Sequence, residues 1–590
     1  MTTSASDGRQ RLSWPSQGET VVRVIAWSTR LVGLITLLSV VFPPARRRLR
    51  DPVAGWLDLS VQATVTTVVV AVGAGIGLLL LSNGLRRHKR RAWQIALAAS
   101  GTIAVLHFVA HRGLVAGCTA AVLVVVLVVH REKFVAQPDP SMGRWPALLV
   151  FLQLLVLGAG LNFLILLVNG RMLVNHPSTG ERLAHALLTL VGVSGPVQFR
   201  VEMLNDLTAA IGLAASIGAF LLGGYFLLRS AEPRPSLEPE DETRIRGLLD
   251  THGRTDSLGY FALRRDKSAV FSSSGKSAVA YRVLAGVALS SGDPLGDVEA
   301  WPGAVEEFLG RCLRHGWVPA VLGCSERAAT VWSRYGLTVL ELGDEAVVDA
   351  ATFTLDGRSM RGVRQAVARV RRSGYEVRVR RASDLTDQGR AELAARADSW
   401  RGTETERGFS MALSRLADAA DPACVLVTAE QDGVARGLLQ FVPWGPDGLS
   451  LDLMRRDRDA PDNGLNEFMI CELMAACPAL GVRHVSLNFA MFRAALERGE
   501  RIGAGPVARL WAKALRLGSR WWQIETLYRF NAKFQPTWVP RYLVFPMVRD
   551  LPRIILAAME AEGFGGRPPA LLRMLRRSQP VVASPQVAAS

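Results

Sequence analysis

The sequence predicts an α-helical membrane domain of about six transmembrane helices followed by a cytoplasmic α/β domain built as two lobes. Three observations carry this. Apolar, charge-free runs crowd residues 20–230, a Pro-rich acidic linker follows at 231–242, and beyond it short β-rich runs alternate with helical patterns.

A chain of 590 residues with mean hydropathy +0.20 is too long for one domain and too apolar for a wholly soluble protein. Leu59–Ser82, Pro146–Val168 and Leu207–Leu228 are each long and apolar enough to cross a bilayer. Ala92–Ala110 is comparable apart from His107; Gly113–Val129 is shorter, and Leu31–Phe42 reaches back through Ala26 if Arg30 snorkels to the interface. The polar first twenty residues read as a tail without a cleavable signal. Basic residues at 86–91 and at Arg131 and Lys133 place those loops in the cytoplasm, and six spans then leave both termini there. The cluster Arg46–Arg50 falls in a loop this topology puts outside. Leu183–Phe199, broken by Gly195-Pro196, reads as re-entrant or interfacial; as a full span it would turn the large domain outward.

The six cysteines are scattered without metal-ligand or disulfide spacing, which fits a reducing compartment and no metal site. The excess of 69 Lys+Arg over 52 Asp+Glu favours an anionic partner, lipid or nucleic acid. In the soluble part, 243–350 reads as a first lobe, 351–555 as a second, catalytic lobe, and 556–590 as a largely disordered tail. Strands are expected at Ala278–Val287, Val318–Leu322, Ala423–Thr428, Gly437–Pro443, Leu449–Met454 and His484–Phe489. Helices are expected at Trp301–His315, Met360–Ser373, Thr386–Ala397 and Leu465–Leu480, the last with Asn463 as N-cap and Gly481 past its end.

Several motifs compete with ordinary structural readings. Ser290–Asp297 (SSGDPLGD) has the chemistry of a β–α turn, and no GxxxxGK[ST] or GxGxxG phosphate cradle occurs. Nine arginines lie between Arg358 and Arg381, among them Arg361, Arg364, Arg369, Arg371 and Arg372, with few acids to pair them; a phosphate-binding patch for lipid or RNA is the favoured reading over a solvated helix face. Alternation along Leu449–Met454 puts Leu449, Leu451 and Leu453 on one face and Asp452 on the other, so Asp452 and Arg455 at the strand end either line a cleft or form a local salt bridge. Glu467 and Asn488 are weaker candidates. In Glu525–Tyr542 (ETLYRFNAKFQPTWVPRY), a helix over 521–534 would align Glu525, Arg529 and Lys533 on one face and bury Leu527, Phe530 and Phe534, with Pro536 ending it. An ordinary Glu525–Arg529 ion pair is the alternative.

The segments SLNFAMFR at 486–493, LYRFNAKFQP at 527–536 and WVPRYL at 538–543 resemble aminoacyl-phosphatidylglycerol synthases, the multiple peptide resistance factor family and especially its actinobacterial lysyltransferase branch. GDPLGD at 292–297, GDEA at 343–346 and DLMR at 452–455 resemble that family's soluble domain, and the likeness runs over roughly residues 20–550. The resemblance implies two tandem acetyltransferase-like (GNAT) lobes and transfer of an aminoacyl group, lysyl in that branch, from aminoacyl-tRNA to the glycerol hydroxyl of phosphatidylglycerol. It implies that Asp452 and Arg455 line the aminoacyl pocket and that Arg529 and Lys533 form a cationic site. Glu467, Asn488, Glu525, Asn531 and Arg541 become substrate-binding candidates. The fused lysyl-tRNA synthetase domain of some relatives is not expected here, nor the separate flippase module of longer ones.

A tRNA aminoacyl ester is already activated, so the expected transesterification needs neither ATP nor a cofactor or metal, only alignment and oxyanion stabilisation. The expected partners are aminoacyl-tRNA, phosphatidylglycerol and the membrane, and a homo-oligomer stays open. Two rivals stand beside this. One is an acyl-CoA-dependent transferase, although no [QR]-x-x-G-x-[GA] loop is visible; the other is a non-catalytic lipid transporter or regulatory anchor.

Overall fold

The structure is a computed structural model that describes residues 24–30, 34 and 76–563, apart from short stretches between 78 and 234 and the segments 402–407, 460–462 and 492–523. Two compact units part at residues 232–233.

In the first unit the described helices are α1 (Arg90–Val109), α2 (Leu114–Val129), α3 (Arg144–Val168), α4 (Thr179–Leu190) and α5 (Glu202–Leu228). Two stretches, Leu148–Val168 in α3 and Glu202–Gly224 in α5, are long and apolar enough to cross a membrane. Leu31–Phe42 and most of Leu59–Ser82 lie outside the described residues. Lys89 and Ala136 form an isolated parallel bridge, so the two basic loops expected on one side of the membrane meet at one end of α1 and α2. Leu183–Phe199 is not a continuous span. α4 ends at Leu190, its 12 residues reach only about 18 Å, and Phe199 returns to bridge Leu173. Small residues let these helices approach: a Cβ on Gly158 would fall 2.2 Å from that of Ala215. Buried Asn162 donates to Thr189 Oγ1 at 2.9 Å and to the Thr208 carbonyl at 3.0 Å, tying α3 to α4 and α5.

The second unit is organised by one twelve-stranded sheet. Its strands are β1 (Ser268–Phe271), β2 (Ser277–Leu284), β3 (Val287–Ser291), β4 (Leu295–Gly296), β5 (Val318–Cys324), β6 (Thr338–Asp349), β7 (Tyr375–Arg381), β8 (Val425–Gln431), β9 (Val434–Trp444), β10 (Gly448–Arg456), β11 (His484–Met491) and β12 (Thr537–Phe545). The order is β1-β2-β3-β5-β12-β6-β11-β10-β9-β8-β7, with β4 beside β2. Each half is an antiparallel meander ending in one parallel pair, β3 with β5 and β10 with β11. This is the repeated topology that tandem lobes require. The halves then exchange strands: β12, from the end of the chain, pairs with β5 and β6, and β6 pairs with β11. The lobes expected on either side of residue 350 are therefore halves of one sheet.

The α-helices of this unit among the described residues are α6 (Pro239–His252), α7 (Trp301–His315), α8 (Glu326–Ser333), α9 (Arg361–Arg372), α10 (Asp387–Trp400), α11 (Leu465–Leu480), α12 (Ile524–Ala532) and α13 (Leu551–Ala561). One core cluster gathers residues of α6, α10, α13 and the 409–417 segment, including Leu393, Leu413, Leu438 and Val442. A second, on the opposite face of the β7–β11 half, gathers residues of α9 and α11 with Leu439, Phe441, Val485 and Phe534. The expected N-cap of α11 moves by one residue: Gly464 holds that position with φ +109, while the Asn463 carbonyl accepts from Arg369 at 2.7 Å. The tail expected from residue 556 begins inside α13, whose Ala557 and Ala561 are buried.

Candidate active site

The two parallel pairs differ. In the first half β3 and β5 stay paired over five residues, Val287 to Ser291, and the Gly292 N–H continues the ladder to the Leu322 carbonyl. In the second half β10 and β11 pair only from Gly448/His484 to Ser450/Ser486. Register shifts follow on both outer partners, between Leu451 and Leu453 and between Ser486 and Phe489. Bulges of this kind part strands and re-aim side chains. Two residues past the last pair stand Asp452 on β10 and Asn488 on β11.

The bulge alters the expected alternation. Leu449 and Leu451 pack in the second cluster, but Leu453 packs against the first. Asp452 is the inserted residue, and its carboxylate reaches the first cluster's face. There Oδ1 accepts from the Leu413 N–H at 2.7 Å and Oδ2 from Gln440 Nε2 at 2.5 Å. Gln440 is buried and also accepts from the Ala417 N–H at 2.7 Å and donates to the Arg415 carbonyl at 2.8 Å. Residues 409–417 form a strap whose other end Glu562 holds, accepting from Phe409 N at 2.7 Å and Ser410 N at 3.0 Å. Lys267, wholly buried, lies over the Phe409 ring and donates to Ser291 Oγ at 2.8 Å; burial, then nearby Arg264, pushes its ammonium down to about 7. Arg455 Nη1 donates to the Ala397 carbonyl at 2.7 Å and lies 3.4 Å from Asp398. Arg455 thus holds the end of α10, and Asp452 holds the strap.

The cationic candidates gather on the opposite face. Lys533, half exposed, pairs with Glu467 of α11 at 2.7 Å. Arg371 pairs with Glu472 at 2.6 Å and lies over the Phe468 ring. Arg364 donates to the carbonyls of Leu355 and Gly357, while Arg361 and Arg372 are exposed. Three of the five arginines are therefore partly committed within the protein. Arg529 is exposed on α12. The expected stripe forms in part: Phe534 is buried and stacks edge-on with half-buried Phe530 at 5.5 Å. The side chain of Glu525 lies outside the described residues, so the Glu525–Arg529 pair does too. The structure does not bring Asp452 and Arg455 together with Glu467 and Lys533; the sheet separates them.

Asn531 and Arg541, expected at the substrate, are buried. Asn531 donates to the Leu487 carbonyl at 3.0 Å and ties α12 to β11. Arg541 Nε donates to Glu345 at 2.8 Å, Nη1 to Asp256 at 2.7 Å and the Gly323 carbonyl at 3.2 Å, and Nη2 to Ser257 at 2.7 Å. Burial opposes its charge, but Glu345, Asp256 and Asp293 outweigh that and keep it cationic. Arg541 is thus a central tie of the sheet. Asp293, from the SSGDPLGD turn, accepts from Ser325 N at 2.7 Å and Ser325 Oγ at 2.6 Å, and so holds the residue that caps α8. Asn488 adopts φ +72, and its buried Oδ1 has no hydrogen-bond partner among the described residues. Ser450 and Gln440 carry no signal that the sequence alone would single out. Among the described residues no cluster of His, Cys, Asp or Glu could hold a metal ion.

The family described as phosphatidylglycerol lysyltransferase, C-terminal, matches residues 246–545. The "Lysylphosphatidylglycerol biosynthesis bifunctional protein LysX" of Mycobacterium avium (strain 104) is 42% identical over 558 residues, covering 91% of this chain and 46% of that protein. The protein of the same name from Mycobacterium tuberculosis (strain ATCC 25618 / H37Rv) is 42% identical over 582 residues, 95% of this chain and 48% of that one. The chain spans about half the length of these relatives. The solved structure of L-PGS from Bacillus licheniformis aligns with TM-score 0.49 at 22% identity, over 57% of this chain and 99% of that one. Since the matched segment is half of the 590 residues, the chain belongs to the phosphatidylglycerol lysyltransferase C-terminal family.

Proposed function

We propose that this chain is a multi-pass enzyme of the cell membrane, its large C-terminal domain in the cytoplasm, that moves a lysyl group from aminoacyl-tRNA to the glycerol hydroxyl of phosphatidylglycerol. The observation that carries this reading is the family match over residues 246–545, which includes the parted β10–β11 pair and the Arg529–Lys533 segment. The LysX proteins named above supply the lysyl assignment through their printed names.

In the proposed reaction the lipid hydroxyl oxygen bonds to the ester carbonyl carbon. The bond from that carbon to the tRNA ribose oxygen breaks, and the hydroxyl proton ends on that ribose oxygen. No net oxidation occurs and no co-reactant is consumed. On the face of α9 and α11 Lys533 or Arg529 holds a phosphate of the lipid or the tRNA, while on the opposite face Asp452, held by Gln440 and the strap, faces the positive aminoacyl end. The exposed arginines Arg361 and Arg372 suit tRNA phosphates. Adding lysine turns an anionic lipid into a cationic one, which weakens attraction of cationic peptides to the membrane.

Membranes containing the full chain, incubated with labelled lysyl-tRNA and phosphatidylglycerol, are expected to yield an RNase-sensitive labelled lipid. Failure with lysyl-, alanyl-, arginyl- and ornithyl-donors alike would refute the reading. Product formation from acetyl-CoA without tRNA would favour the acyl-CoA alternative. An unchanged host lipid profile with Asp452→Ala and Lys533→Ala would favour a non-catalytic anchor.

A further inference from the structure

We propose that Ser450 and Asn488 form a subsite at the parting of β10 and β11 that takes the α-ammonium group of the aminoacyl donor, an inference that rests on the transferase reading above. Ser450 is wholly buried, is the last β10 residue paired with β11, and its Oγ has no hydrogen-bond partner among the described residues. Asn488 stands two residues beyond Ser486, the partner of Ser450 in that last pair, and its Oδ1 is likewise buried and unpartnered among the described residues. A buried polar atom left unpaired is destabilising, so native proteins seldom keep one without a use. Here two of them flank the one parallel pair that opens, and the corresponding pair of the first half stays closed.

The donor and acceptor chemistry selects the ligand. An amide oxygen only accepts, and a serine hydroxyl can accept. Asp452, a further acceptor, lies two residues past Ser450 on the same strand. Three acceptors match an ammonium group with three N–H donors, whereas phosphate oxygens offer only acceptors of their own. The cationic residues that suit phosphate lie with α9 and α11 on the other face. Asn488 also has a backbone reason to be asparagine, since φ +72 is a left-handed conformation that glycine, asparagine and aspartate tolerate best.

The test uses the full chain in membranes, with initial rates measured against lysyl-tRNA and against phosphatidylglycerol, and thermal unfolding of the same variants in detergent. Ser450→Ala removes an unpaired hydroxyl, so its thermal transition should equal or exceed that of the wild type. Its KM for lysyl-tRNA should rise about 10- to 100-fold, the range for losing a hydrogen bond to a charged group, with KM for phosphatidylglycerol unchanged. Asn488→Gly should show the same split, while Asn488→Asp, which keeps the acceptor and the backbone conformation, should stay within about threefold of wild type. The proposal is overturned if Ser450→Ala and Asn488→Gly leave KM for lysyl-tRNA within twofold, if KM for the lipid rises instead, or if Ser450→Ala loses stability along with activity. A wild-type chain that forms no lipid product from any aminoacyl-tRNA would sink the transferase reading itself, a distinct result.

Discussion

Removing the guanidinium of Arg541 should unfold the second unit far more readily than removing any surface arginine. Arg541 is 4% exposed at its side chain, and the carboxylates it holds, Asp256 and Glu345, are 3% and 2% exposed. Arg541→Ala leaves both carboxylates buried without their cation, and Ser257 and the Gly323 carbonyl lose a donor. Breaking a buried pair by deleting one partner costs about 3–5 kcal/mol. For a domain of this size each kcal/mol is worth roughly 2–4 °C, so the unfolding transition should fall by on the order of 10 °C at pH 8. Tryptophan fluorescence during heating of the detergent-solubilised chain reads the shift. A loss below about 1 kcal/mol would refute the assignment of Arg541 as a buried tie.

Further outcomes follow from the same geometry. Burial, then Asp256, pushes the Asp293 carboxyl up to about 7. A carboxyl with a raised folded pKa contributes most below its unfolded value near 3.9 and loses that contribution as pH climbs toward 7, so Asp293→Asn should gain stability relative to wild type between pH 5 and 8; a constant difference across that window would contradict it. Lys533 pairs with Glu467 while 47% exposed, so Lys533→Ala should change stability by less than about 1 kcal/mol yet lower kcat/KM by about 100-fold; equal, small effects on both would remove it from the site. Replacing both Arg361 and Arg372 by alanine should reduce the salt dependence of KM for aminoacyl-tRNA by about 1.5 in log–log slope, and an unchanged slope would place tRNA elsewhere.

Much of the scaffold was legible because local pattern and burial agree. Leu465–Leu480 alternates at helical spacing and stops at Gly481, which takes φ +72, and the structure keeps both bounds. β12 was hidden by Pro540, which normally argues against an interior strand. It is tolerated one residue before a register shift at Arg541/Tyr542. With β12 unseen, Arg541 stood only as a substrate-binding candidate, and the exchange of β6 and β12 between halves was invisible. Asp452 was found at a strand end, but one inserted residue turned its carboxylate toward the strap. Alternation alone cannot report a bulge. Ser450 and Gln440 draw their interest from what surrounds them in space, which a linear pattern does not encode.

The most direct test of the central claim is lipid mass spectrometry of a host that makes phosphatidylglycerol but no aminoacyl-lipid, with and without the full chain. The account predicts a new phosphatidylglycerol species heavier by one lysyl residue, lost with Asp452→Ala and with Lys533→Ala. An unchanged lipid profile in a host where the chain is present in the membrane and lysyl-tRNA is abundant would contradict it.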